Sequence, residues 1–146
     1  MRNASRQPLR IEEALHSYLA VSDVRQVQIE GLAGTTYSDR VATPHTEIEG
    51  AAPIRITAET DRIYLNTRST CIVNDPGWQR RLVVEKIGSD ATVVWNPWTA
   101  KAKAMPDFGD DEWPFMLCIE TCNVRENAFT IAPDQSHNMG TIIRVD

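Results

Sequence analysis

Cysteine is scarce: Cys71, Cys118 and Cys122 are the only three in 146 residues. An odd number cannot all pair within the chain, and the Cys118/Cys122 spacing matches no common zinc pattern. A reducing compartment suits such a sequence, in which a free cysteine ordinarily packs as a small buried hydrophobe. Long apolar runs are lacking too. The longest uncharged stretches are strand-sized, such as Ala91 to Trp95, far below the roughly 20 residues that cross a bilayer. The first residues, Met1 to Pro8, carry arginines without the apolar stretch that a secretory signal has behind its positive charges. No membrane partner and a cytoplasmic location are therefore expected. Positive charge is in deficit, since 15 basic against 20 acidic residues leave a net charge of -5. That balance opposes attraction to a phosphate backbone, so no nucleic-acid partner is expected. It leaves room for a small phosphorylated ligand, because one or two guanidinium groups hold a phosphate whatever the global charge. There is no phosphate-cradling glycine loop, no serine nucleophile elbow and no paired zinc motif. Asp107, Asp110, Asp111 and Glu112 lack the glycine and terminal glutamate of a calcium loop, so they read as a solvated segment.

What is present suits one domain. At 42% hydrophobic residues, a chain of this length buries roughly 70% of its unfolded surface and needs no staple. From Pro53 onward, short runs rich in Val, Ile, Thr and aromatics alternate with turn residues, the cadence of an all-β domain. The expected strands are Ile54 to Ala58, Asp61 to Asn66, Thr70 to Asn74, Gln79 to Ile87, Ala91 to Trp95, Pro114 to Cys122, Ala128 to Ala132 and Thr141 to Val145. Thr35 to Pro53 is polar and reads as a long loop with a short strand around Thr46 to Glu49. Ile11 to Val21 is ambiguous. Ile11, Ala14, Leu15, Tyr18 and Leu19 fit a helical period, whereas a strand would put Leu15, Ser17, Leu19 and Val21 on one face and Ala14, His16, Tyr18 and Ala20 on the other.

A few residues could carry chemistry. In the strand Pro114 to Cys122, Glu120 interrupts an otherwise apolar face between Cys118 and Cys122. A carboxylate so placed loses hydration, and its pKa rises towards that of a general base unless donors or an arginine compensate. His16 is the next candidate, because imidazole as a side-chain type titrates near neutrality and can give a proton, although a lone histidine beside Leu15 and Tyr18 is more often a hydrogen-bonded boundary residue. His45 and His137 read as surface residues without a ligand cluster. Glu59-Thr60-Asp61-Arg62 sets charges at a strand end, where ligand loops gather but where solvated ion pairs are also common. Trp95-Asn96-Pro97-Trp98 offers two indoles at a rigid turn, suited to a sugar face or to the core.

The run Ala91-Thr92-Val93-Val94-Trp95-Asn96-Pro97-Trp98, followed by Lys101 to Trp113 and by Met116-Leu117-Cys118-Ile119-Glu120-Thr121, resembles the glucose-6-phosphate 1-epimerase (D-hexose-6-phosphate mutarotase) branch of the aldose 1-epimerase family. Ala14-Leu15-His16-Ser17-Tyr18-Leu19, Gly31 to Asp39 and Glu59 to Tyr64 resemble the same family in the same order. The resemblance implies a galactose-mutarotase-like β-sandwich, with the Leu-His-Ser-Tyr segment as a strand. It also implies His16 as general acid, Glu120 as general base, Asp61 as a ligand of sugar hydroxyls, a hexose 6-phosphate as substrate and no cofactor. Members of the family are about twice as long, and the match is to their carboxy-terminal half, the other half contributing arginines to the sugar phosphate. Exposed sheet edges in such a chain would invite a homo-oligomer or a complementing chain. Arg62, Arg68, Arg80 and Arg125 are candidate phosphate ligands, and a sugar-phosphate-binding or protein-interaction module without turnover is the rival expectation.

Overall fold

Alternation of β-branched and polar side chains yields thirteen strands in a computed structural model that describes residues 1–146. In chain order these are β1 (Leu9–Ile11), β2 (Glu13–Leu15), β3 (Tyr18–Ala20), β4 (Gln28–Glu30), β5 (Thr36–Asp39), β6 (His45–Ile48) and β7 (Thr60–Tyr64). There follow β8 (Cys71–Asp75), β9 (Arg80–Ile87), β10 (Ala91–Asn96), β11 (Met116–Asn123), β12 (Phe129–Ile131) and β13 (Gly140–Val145), with one short helix, α1 (Trp98–Ala104), after β10.

Every strand pairing is antiparallel. Seven strands form the larger sheet in the order β2-β11-β10-β7-β5-β6, with β3 continuing the β2 edge along β11. Four form a second sheet in the order β13-β9-β8-β4, and β1 pairs with β12 apart from both. The two larger sheets face each other. Leu19, Tyr37, Tyr64, Val94, Leu117 and Ile119 from the first pack against Ile29, Cys71, Val73, Leu82 and Val84 from the second in one buried cluster. At about 1.5–3 kcal/mol for each fully buried Val, Leu or Ile, this layer is the main stabilising term. The architecture is the expected all-β sandwich.

The strand reading of the early segment holds in β2 and β3: Leu19 and Val21 are buried in the core, whereas Leu15, expected on the same face, is 38% exposed. The expected strand Ile54 to Ala58 reduces to a single bridge between Ile29 and Ile54. Ile54 and Ile56 are nonetheless buried, so hydrophobicity placed this segment correctly while the ladder did not extend. The polar stretch read as loop begins with β5, whose hydrogen bonds go to β6 and β7. Asn96 anchors the far end of β10: its amide nitrogen donates to the carbonyls of Trp113 and Met116 at 2.8 and 2.9 Å, and its side-chain oxygen accepts from the Trp98 N–H at 2.9 Å. No helix is long and apolar enough to cross a membrane.

Candidate active site

β11 is buried along its whole length because both of its faces are covered. Leu117 and Ile119 point into the sandwich, and on the alternate face Glu120 lies on the floor of a cleft, between the fully buried Cys118 and Cys122. The cleft has a volume of about 360 Å³, within the range of small-ligand sites. Strand register fills it in rows. Glu120 stands opposite Val93 on β10, which stands opposite Ile63 on β7; one row along, Cys118, Trp95 and Asp61 align in the same way.

The edge strand completes these rows. Leu15 lies opposite Thr121 and Tyr18 opposite Cys118, so the register is the same on both sides of the gap between β2 and β3. His16 therefore faces Glu120, although strand pairing lapses at His16 and Ser17. Nδ1 of His16 is 3.0 Å from Oε1 of Glu120, with the imidazole 65% exposed and the carboxylate 5%. Burial pushes the Glu120 carboxyl above the ordinary glutamate value; the positive charge available on His16 opposes that shift, and Asp61 adds to it. Asp61 is itself raised, mainly by burial, with Arg40 and Lys101 pulling the other way. Thus His16, Glu120 and Asp61, distant in sequence, line one cleft.

Tyr18 and Trp95 meet edge to face with centroids 6.1 Å apart, making an aromatic wall beside the pair. Trp98, by contrast, packs on Trp113 at 4.3 Å against the core, so only one indole of the Trp-Asn-Pro-Trp turn reaches the cleft. Burial pushes the Cys122 thiol up to about 12 and raises Cys118 as well, which keeps both protonated and unreactive near neutral pH. No group of three or more His, Cys, Asp or Glu side chains is arranged to hold a metal ion.

Of the arginines singled out from sequence, Arg62 pairs with Asp39 and Glu49, Arg68 with Asp90 and Arg80 with Asp75, all outside the cleft. Arg125 lines it, as does Arg40, which no sequence pattern had marked. Tyr18 was legible as a cleft residue from its period-two relation to His16. His137 departs from its surface reading. Its side chain is only 10% exposed and its Nε2 is 2.8 Å from Oε1 of Glu13, while the ring stacks on Phe129 at 4.0 Å. His45 is half exposed beside Glu47, as expected.

A family model described as Aldose 1-epimerase matches residues 1–144. The chain belongs to the aldose 1-epimerase family. It is 38% identical over 133 residues to a protein of Cenchrus ciliaris named "Putative glucose-6-phosphate 1-epimerase", covering 91% of this chain and 40% of that protein. A protein of Escherichia coli K12 with the same name is 29% identical over 132 residues, covering 90% and 44%. Among solved structures, a "putative mutarotase (YeaD)" from Salmonella typhimurium superposes with a TM-score of 0.87 at 25% identity, covering 95% of this chain and 46% of that one. The HI1317 structure superposes with a TM-score of 0.78 at 22% identity, which speaks for the fold alone. The chain spans about 40% of the length of the curated relatives it matches.

Proposed function

We propose that the cleft interconverts the α and β anomers of a hexose 6-phosphate by acid-base catalysis between His16 and Glu120. The observation that carries this reading is the 3.0 Å contact between an exposed imidazole and a buried carboxylate. Burial makes Glu120 a stronger base than a solvated glutamate, and the positive charge available on the adjacent imidazole favours its ionised form. With Nδ1 and Oε1 engaged on each other, Nε2 of His16 and Oε2 of Glu120 are the atoms offered to substrate. Glu120 removes the proton from the C1 hydroxyl, the C1–ring-oxygen bond breaks as the C1 carbonyl forms, and His16 Nε2 protonates the ring oxygen. Rotation about C1–C2 and reclosure through the reverse transfers give the other anomer and restore both groups. Asp61 accepts hydrogen bonds from ring hydroxyls, and the Tyr18–Trp95 wall packs against the C–H face of the sugar. The names of the relatives support the phosphorylated sugar as substrate.

Exchange NMR or polarimetry on fresh α-glucose 6-phosphate tests the reading. The wild-type chain accelerates anomer exchange, whereas Glu120→Gln falls by roughly 10²- to 10⁴-fold, the usual worth of one positioned proton-transfer group. Full mutarotation by Glu120→Gln would remove the assignment. Background rates with saturable sugar-induced shifts in the wild type would replace catalysis with binding.

A further inference from the structure

The arginines of this chain differ in what their guanidinium groups do. Those of Arg2, Arg25, Arg62, Arg68, Arg80 and Arg144 pair with carboxylates, and that of Arg10 donates to a backbone carbonyl. Arg40 and Arg125 line the cleft and make no such pair there. An unpaired guanidinium in a protein with an excess of acid is a natural seat for an anion, because its fork of donors fits a phosphate with two parallel hydrogen bonds.

Arg125 is also held in place by its backbone. Its φ is +56°, a left-handed conformation that L side chains avoid. Two contacts fix it: the Arg125 N–H donates to Oε1 of Glu12 at 2.9 Å, and its carbonyl accepts from the Arg10 guanidinium at 3.0 Å. Glu12 thus engages the main chain of Arg125 and leaves its guanidinium free. Constrained backbone of this kind clusters at ligand sites.

Position along the cleft separates the two arginines. The Arg40 N–H donates to the Asp61 carbonyl at 2.8 Å, so Arg40 shares the row of Asp61, on one side of the His16–Glu120 pair. Val124 and Arg125 follow the end of β11 at Asn123, Arg125 opening a short 3-10 turn, and lie on the other side. A pyranose with C1 and the ring oxygen over Glu120 and His16, and its hydroxyls towards Asp61, directs C5 and C6 away from Asp61.

We propose that Arg125 binds the phosphate on C6 and so sets the preference for phosphorylated over free hexose, a proposal that rests on the reading of the cleft given above. Arg40 stays with the hydroxyl end. The test measures binding by NMR titration of labelled protein with glucose 6-phosphate, glucose and inorganic phosphate, alongside anomer exchange. Arg125→Ala should weaken glucose 6-phosphate and phosphate by roughly 10- to 100-fold, as expected for losing a charge-assisted pair, while leaving glucose unchanged. Arg125→Gly, whose residue suits a left-handed backbone, should behave alike with the fold intact, and Arg125→Lys should recover part of the affinity. Arg40→Ala should weaken both sugars by the same factor. Unaltered glucose 6-phosphate binding in the Ala and Gly variants, or an equal loss for glucose, overturns the proposal. Phosphate binding that depends on Arg125 in a wild-type chain with no exchange activity would uphold the proposal and sink the catalytic reading alone.

Discussion

Two His–Glu contacts of almost equal length sit in different surroundings. His16–Glu120 measures 3.0 Å and His137–Glu13 2.8 Å. The first joins an imidazole open to a cleft with a carboxylate on its floor, and one atom of each group remains for a ligand. The second is closed. Both of its side chains are largely buried, the ring is stacked on Phe129, and the same Glu13 oxygen accepts from the Asn123 amide at 3.1 Å. Asn123 also donates to the Gly88 carbonyl and accepts from the Asp90 N–H, which ties β2, β11 and the β9–β10 turn to the segment carrying His137. Gly88 is part of the same closure: its φ is +63°, and a Cβ there would lie 2.1 Å from the Asn138 carbonyl oxygen. The same pair of residue types thus keeps atoms open to a ligand where one side is left open and gives cohesion where every side is filled.

The largest effect that separates them concerns activity. His16→Gln should lower anomer exchange by about 10²-fold or more while leaving the urea midpoint near that of the wild type, because the imidazole is exposed. His137→Ala should do the reverse. Losing the ring removes the stacking partner of Phe129 and leaves a buried carboxylate short of one contact, together costing about 2 kcal/mol in urea unfolding. Exchange per folded molecule should stay within about twofold of the wild type, a change worth less than 0.5 kcal/mol in the barrier. A fully folded His137→Ala protein without exchange activity would break the contrast.

How much of this was legible follows from where the signals arise. β10 and β11 stand out in sequence because runs of apolar and β-branched residues mark strands covered on both faces. β1 and β4 have only three residues each and β5 four, with Arg10, Gln28, Glu30 and Asp39 diluting their pattern, and they are fixed by partners far along the chain. α1 buries only Ala102, so its sequence carries no apolar stripe. Glu120 could be singled out because a charge among Cys118, Ile119 and Cys122 violates a buried pattern. His16 could not be separated from a boundary histidine by periodicity, and resemblance to the family supplied what spacing did not. His137 was misplaced because its burial comes from Phe129 and Glu13, contacts that no local pattern encodes. Arg40 left no trace for the same reason.

The smallest effect is in the pH dependence of stability, and it distinguishes the two pairs through Glu120. Its carboxyl is raised in the folded state, chiefly by burial. A group whose folded pKa exceeds its unfolded value gives its full stabilisation below the unfolded value, about 4.3 for a glutamate, and loses it as pH rises through the folded value. The wild type should therefore lose stability over that interval relative to Glu120→Gln, which carries no titrating group there. Subtracting the two unfolding curves matters because Asp23 and Asp90 act oppositely. Their carboxyls are lowered, first by hydrogen bonds from Arg25 and Arg68, so their stabilisation disappears as pH falls, and it cancels in the difference. The stability of Glu120→Gln minus that of the wild type should rise from pH 4 upward and level off once Glu120 is ionised. A flat difference would mean that the imidazole of His16 compensates the burial of Glu120 in full.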